Sequence, residues 1–433
     1  MKPSGRVELV GRMSARPTQK VLKALTAEGA VARFVGGCVR DAILGREVAD
    51  IDLATDARPE DVMELLSRAR IQALPIGLKH GTVTAVLKHW QFEITTLRVD
   101  VETYGRHADV AFTDDWLADA SRRDFTMNAM YADADGTLYD PFEGREDIRR
   151  GHVRFVGDAR QRIEEDRLRL LRFFRFFAHF GRVPPDAETL AACRHYAPEL
   201  TALSAERVRV ELLKTLEAPD PADAFALMLE NHVLDALLGE ATRLDRLAAM
   251  QQIELAEARD VLEAGAGEGR VHDGLRRLAA LLEADGETAQ DIAARLRLSR
   301  AERARLINLL APPAVFTPPD DPKTDFRPAL YRLGRALFVD LVLMDWATRL
   351  AAGSDQQPVE GAHRAALHAA RRWKSRALPV QGRDVLALGI RPGPDVSRLL
   401  ARVEDWWLGQ GLRPGRRKTL RKLRELAAEA GSG

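Results

Sequence analysis

The chain has 433 residues, room for two to four domains of ordinary size and a substantial hydrophobic core. Hydrophobic residues make up 46% and charged residues 30%, which excludes a disordered or fibrous protein. With 65 basic residues against 64 acidic ones the formal charge is +1, so a uniformly basic nucleic-acid coat is excluded and any polyanion site is local.

Cys38 and Cys193 lie far apart and belong to no CxxC or Cys/His cluster. Neither a disulfide framework nor a zinc site is expected, and a reducing, cytoplasmic setting fits. No run of about 18 apolar residues occurs, and the N-terminus lacks the apolar segment of a signal peptide, so neither membrane insertion nor export is expected.

In chain order, residues 31–35 form a short apolar strand ending in Gly36-Gly37, and residues 38–44 read as a helix. Residues 50–53 alternate as a strand, and residues 59–69 read as a helix with proline at its start. Residues 82–87 and 91–97 read as a hairpin of β-rich residues. From about residue 163 the pattern becomes almost wholly helical, with breaks at residues 265–269, 312–328 and 353–358. The expected fold class is α+β, a small mixed head followed by an all-helical remainder. No fixed-period repeat appears, which disfavours a solenoid. The last 33 residues carry eight basic side chains against four acidic ones, so a polyanion surface could extend there, although a solvated helix face explains the same charge.

The stretch Phe34-Val35-Gly36-Gly37-Cys38-Val39-Arg40-Asp41 places two glycines between a strand and a helix. There the backbone N–H groups and the positive helix end can face an anion, with Arg40 adding a fork of donors to a phosphate. A double glycine is also an ordinary tight turn. Ten residues on comes Asp50-Ile51-Asp52, and on a strand both carboxylates point to one face while Ile51 enters the core. Such hard oxygen ligands suit Mg²⁺ bridging to substrate phosphates. Glu93, a lone acid in the apolar strand Phe92-Glu93-Ile94, is a candidate third carboxylate; otherwise it faces solvent. Glycines before a helix, Asp-x-Asp on the next strand and an acid on a later strand resemble the nucleotidyltransferase superfamily typified by DNA polymerase beta.

The helix expected from about residue 163 carries Glu165-Asp166-Arg167-Leu168-Arg169-Leu170-Leu171-Arg172-Phe173-Phe174-Arg175. Asp166 and Arg169, three apart and about 60° round a helix, would lie side by side. An ordinary ion pair is one use of that spacing. The other is recognition: cytosine and adenine each present an amino donor beside a ring-nitrogen acceptor, the complement of a guanidinium next to a carboxylate. Uracil and guanine present the opposite order and would meet acceptor with acceptor. Arg172 and Arg175 drift further round the helix and would brace the pocket or touch phosphate. Phe173, Phe174, Phe176, Phe177 and Phe180 would pack between head and body.

Four segments in order carry a more specific likeness: Phe34 to Asp41, Ala49-Asp50-Ile51-Asp52-Leu53-Ala54-Thr55, Arg122-Arg123-Asp124-Phe125-Thr126-Met127-Asn128-Ala129-Met130, and Glu165 to Arg172. With Ser204-Ala205-Glu206-Arg207-Val208-Arg209 as a fifth, the chain resembles the class II CCA-adding enzymes (tRNA nucleotidyltransferases), a family that includes bacterial poly(A) polymerase. The resemblance implies an elongated molecule with a polymerase-beta-like head (residues 20–150), a helical neck for base recognition (151–220), a helical body (221–352) and a helical tail contacting tRNA (353–433). It implies Mg²⁺ at Asp50 and Asp52 with Glu93 assisting in catalysis, phosphate contacts from Gly37 and Arg40, and nucleotide contact by Arg123. Asp166 and Arg169 would template CTP and ATP, Arg172 and Arg175 would complete the pocket, and Asp124 and Asn128 would contact the sugar or order the loop. Residues 99–120 would form a flexible loop that helps switch from C to A. The activity implied is template-independent addition of C, C and A to the 3′ end of tRNA, with poly(A) polymerase as the rival. His272-Asp273 is similar to the dipeptide of a metal phosphohydrolase domain, but no convincing companion ligands accompany it.

Overall fold

Among the described residues the N-terminal half is organised by an eight-stranded sheet in the order β1-β10-β9-β2-β3-β6-β5-β4. Its strands are β1 (Gly5–Arg6), β2 (Ala32–Val35), β3 (Ile51–Thr55), β4 (Gln72–Leu74), β5 (Thr82–Leu87), β6 (Trp90–Thr96), β9 (Tyr131–Ala132) and β10 (Thr137–Tyr139), while β7 (Arg98–Tyr104) and β8 (His107–Phe112) form a separate hairpin. The computed structural model describes residues 1–104, 107–239, 242–263, 271–353 and 356–431, which divide into two units, Met1–Gly239 and Glu240–Gly433. No helix among the described residues is long and apolar enough to cross a membrane.

Neighbouring strands in the sheet are antiparallel except β3 and β6, which are parallel and in register from Ile51 opposite Phe92 to Thr55 opposite Thr96. Both alternate: Ile51, Leu53, Phe92 and Ile94 are buried, while Asp52 and Glu93 turn to the other face. The helices of this unit are α1 (Arg16–Leu25), α2 (Gly37–Ile43), α3 (Pro59–Arg68), α4 (Trp116–Ser121), α5 (Gly144–Arg150), α6 (Ala159–Glu165), α7 (Leu168–Phe180), α8 (Ala187–Tyr196), α9 (Ala205–Leu216), α10 (Ala222–Glu230) and α11 (Val233–Leu237). Of the 99–120 segment expected to be a loop, residues 105 and 106 lie outside the described residues. The rest is the β7–β8 hairpin followed by α4.

The single helix expected from about residue 163 is two. Asp166 is extended (φ −148°, ψ 109°) and separates α6 from α7. Its carboxylate accepts from the Leu168 amide at 3.1 Å, so a short acidic side chain competes for the backbone donor and starts a new helix. The phenylalanines of α7 meet a ring of the head segment, Phe125. Phe173 and Phe176 of α7 pack on Phe125 and Phe155, with ring centroids 4.7 Å apart for Phe125–Phe176 and 5.7 Å for Phe155–Phe173. The core they build lies within the first unit, under residues 122–130.

The second unit is helical: α12 (Leu244–Ile253), a π-helical turn (Glu254–Ala258), α13 (Arg259–Glu263), α14 (Gly274–Leu281), α15 (Gly286–Arg295), α16 (Arg300–Leu310), α17 (Arg327–Leu333), α18 (Arg335–Ala351), α19 (Gln356–Arg372), α20 (Gly382–Leu386), α21 (Pro394–Gly409) and α22 (Arg416–Gly431). Its interior holds charge. Glu254, fully buried, accepts from Arg276 and Arg277 at 2.7 Å each, and Arg276 and Arg305 both donate to Asp340. His272 and Asp273 are spent on this lattice: Arg277 donates to His272 Nδ1 at 2.7 Å, while Asp273 caps the Arg276 amide and pairs with Arg305.

Candidate active site

The turn from β2 into α2 is made by Gly36, whose φ of +70° is a conformation that side chains rarely adopt. Gly36 N–H is satisfied by Met130 O at 3.2 Å, and the first-turn amides of α2, starting at Gly37, have no acceptor within the helix. On the neighbouring β3 stands Asp52, opposite Glu93 in the parallel register, with Asp50 one residue ahead of the strand. The three acids predicted from separate segments thus share one end of the β3–β6 pair. Burial raises the Asp52 carboxyl to about 6, Glu93 and Asp50 add to the rise, and Arg123 and Arg40 oppose it. Such mutual repulsion among carboxylates is relieved by a cation, and the donors are hard oxygens. Among the described residues no group of three or more His, Cys, Asp or Glu side chains is gathered at metal-holding distance.

Arg123 reaches the same turn. Its Nη1 lies 3.7 Å from where a Cβ on Gly36 would sit. Its Nε and Nη2 donate to Asp119 Oδ2 at 3.2 and 3.0 Å, and Tyr131 Oη donates to that oxygen at 2.7 Å. The Oδ1 atom of Asp119 takes the Arg122 guanidinium at 2.8 Å and the Arg98 amide at 3.2 Å. Burial pushes the Asp119 carboxyl up, but Arg123, Arg122 and the Tyr131 hydroxyl outweigh it and hold it down at about 2.

Arg40 does not project alone toward a phosphate. It donates to Asp41 through Nε at 2.9 Å and to Asn128 Oδ1 at 2.8 Å, and stacks 4.5 Å from the Phe180 ring. Asn128 in turn donates to Asp124 at 3.2 Å, and Asp124 accepts from Arg172 Nε at 2.8 Å. One polar chain therefore links α2 through the 124–128 segment to α7.

Arg169 N–H donates to Asp166 O at 2.9 Å across the break between α6 and α7, while the two side chains take other partners. Asp166 Oδ2 accepts from Arg207 of α9 at 2.7 Å. Arg169 is held by Glu165 and by the carbonyls of Arg162 and Arg122 at 3.1 and 3.4 Å. Arg175 donates to Glu211 of α9 at 2.6 Å. Each predicted base-reading group is thus fixed by a residue not predicted to take part. Arg207 lies in the fifth segment of likeness but had no role assigned, Glu211 carried no local signal, and Asp119 three and four residues before two arginines carried the spacing of a helical ion pair.

The profile described as the Poly A polymerase head domain matches residues 32–154, and that described as the probable RNA and SrmB-binding site of polymerase A matches residues 184–244. The chain is 34% identical over 388 residues to CCA tRNA nucleotidyltransferase 1, mitochondrial, of Danio rerio, covering 87% of this chain and 83% of that protein. The chain belongs to the CCA tRNA nucleotidyltransferase family. Another member of that family, the CCA-adding enzyme of Geobacillus stearothermophilus, is 42% identical over 246 residues, 55% of this chain and 59% of that one. The crystal structure of the Bacillus stearothermophilus CCA-adding enzyme in complex with CTP matches with a TM-score of 0.72 at 29% identity, covering 96% of this chain and 99% of that one. The polymerase-beta-like head and helical remainder expected from the sequence are the fold of this family.

Proposed function

We propose that the protein adds C, C and A to the 3′ end of tRNA from CTP and ATP, without a nucleic-acid template, releasing pyrophosphate at each step. One observation carries this reading: the likeness to CCA tRNA nucleotidyltransferases runs over 388 residues and does not stop at the head. A poly(A) polymerase shares the head profile and is not favoured.

Asp50 and Asp52, with Glu93 assisting, would hold Mg²⁺, which when bound neutralises the triphosphate and eases loss of the proton from the attacking 3′-hydroxyl. The remaining work falls to the chain's own groups. The amides at Gly37 and the Arg123 guanidinium would grip phosphate, with Arg40 acting mainly through its hold on Asn128 and Asp124. Asp166 would accept from the exocyclic amino group of cytosine or adenine, and Arg169 would donate to the adjacent ring nitrogen. Arg207 and the Leu168 amide keep the Asp166 carboxylate in one orientation, and Glu165 does the same for Arg169. Uracil and guanine would leave both groups unmatched, at about 1–3 kcal/mol for each unmade hydrogen bond. Arg172 and Arg175, tied to Asp124 and Glu211, would brace the pocket wall. The four-part division at residues 20–150, 151–220, 221–352 and 353–433 is kept as the assignment of roles, with the basic tail contacting tRNA. A reducing, cytoplasmic setting suits the two buried free thiols.

The test is to supply tRNA transcripts ending before CCA with each labelled nucleotide alone and then with all four, and to sequence the products. Addition of C, C and then A followed by arrest is expected. Unlimited A on any RNA would replace this reading with the poly(A) polymerase, and addition of CC only or A only would narrow the activity.

A further inference from the structure

We propose that Asp119 is a positioning residue for nucleotide binding, acting through Arg123, with the Tyr131 hydroxyl as its partner. This inference rests on the function proposed above. The side chain of Asp119 is 1% exposed and divides its two oxygens between two tasks. Through Oδ1 it ties the root of the β7–β8 hairpin, at the Arg98 amide, to Arg122. Through Oδ2 it holds Arg123 by two N–H groups, while the Tyr131 hydroxyl fills the remaining approach to the same oxygen.

The charge in this cluster does not balance. Two guanidiniums share one carboxylate, leaving one positive charge in excess beside the turn that opens α2. Nε and Nη2 of Arg123 are committed to Asp119, so the fork can swing about neither, and Nη1 is presented toward Gly36. A guanidinium locked on one edge and open on the other is preorganised for an anion, and the lock avoids the entropy cost of immobilising a long side chain at the moment of binding. A polyphosphate between Gly37 and the acids is the anion that this placement suits. Tyr131 gives the arrangement a discriminating feature: its hydroxyl donates to Oδ2 and accepts from Arg123 Nε at 3.2 Å, so its loss loosens Arg123 while Oδ1 keeps the Arg98 anchor.

The experiment compares the full chain with Asp119→Asn, Asp119→Glu and Tyr131→Phe, measuring kcat and KM for CTP and KM for tRNA in saturating Mg²⁺. Loss of a charge-assisted pair is expected to raise KM for CTP about tenfold in Asp119→Asn, with kcat changed by less than about threefold and KM for tRNA unmoved. Asp119→Glu should recover part of the loss, and Tyr131→Phe should shift KM for CTP about threefold in the same direction. A folded Asp119→Asn with an unaltered KM for CTP, or equal defects in Asn and Glu variants, would overturn the proposal. If Asp119→Asn does not fold, Tyr131→Phe decides: an unchanged KM for CTP overturns it. If the wild-type chain extends no tRNA, the functional reading fails on its own. The CTP-induced rise in melting temperature, smaller in Tyr131→Phe or not, then decides the role of Asp119 separately.

Discussion

Asp52→Asn isolates the cost of holding Asp50, Asp52 and Glu93 together. Burial first, then Glu93 and Asp50, push the Asp52 carboxyl from 3.8 up to about 6. A tenfold change in proton affinity is worth about 1.4 kcal/mol, so ionising this group in the folded state costs at most about 3 kcal/mol of stability. Asp52 is partly exposed, and solvent screening leaves about 1–2 kcal/mol of that. Because the folded chain binds the proton more tightly than the unfolded one, the stability is fully present below about pH 4 and is lost as pH rises through about 6. In EDTA at pH 7.5, the asparagine variant should therefore be more stable than wild type by about 1–2 kcal/mol in urea unfolding, with the gap closing at pH 4. It should transfer no nucleotide. Added Mg²⁺ should raise the wild-type midpoint and leave that of the variant nearly unmoved. A variant that is less stable at pH 7.5, or a gap independent of pH, would refute the electrostatic reasoning.

Arg169→Ala should raise incorporation of UMP and GMP relative to CMP and AMP by roughly 10- to 100-fold, read from single-nucleotide extension assays; a variant still faithful to C and A would contradict base recognition by this residue. In the second unit, Glu254→Ala leaves Arg276 and Arg277 buried without their shared carboxylate and should cost about 3–5 kcal/mol in denaturant unfolding, whereas a loss under about 1 kcal/mol would show that the lattice is compensated from elsewhere.

What could be read in the chain was local, and what could not was set by pairing at long range. The Gly36 turn, Asp52 on β3 and Glu93 on β6 follow from alternation and from glycine, but their meeting depends on a parallel register between strands separated by β4 and β5. The break at Asp166, which divides the single helix expected there, has a legible reason. An aspartate inside an apolar helical run competes for the backbone amide two residues on, a helix-start signal at odds with extending one helix through it. Arg207 and Glu211, which fix Asp166 and Arg175, lie 41 and 36 residues away on α9, and although Arg207 falls in a segment of family likeness, nothing local says which side chain either one holds. The buried charges around Glu254 escaped for the opposite reason, since composition assigns such side chains to the surface.

The parallel alignment of β3 with β6 also decides whether the acids meet at all. Side chains alternate along a strand, so a slip of one position would turn Glu93 away from Asp52 and dissolve the acid cluster outright, with no half-formed version in between. In a chain whose β5–β6 hairpin has closed but is not docked beside β3, Glu93 does not stand opposite Asp52. The grouping of the acids is therefore a property of the assembled sheet and of neither strand alone.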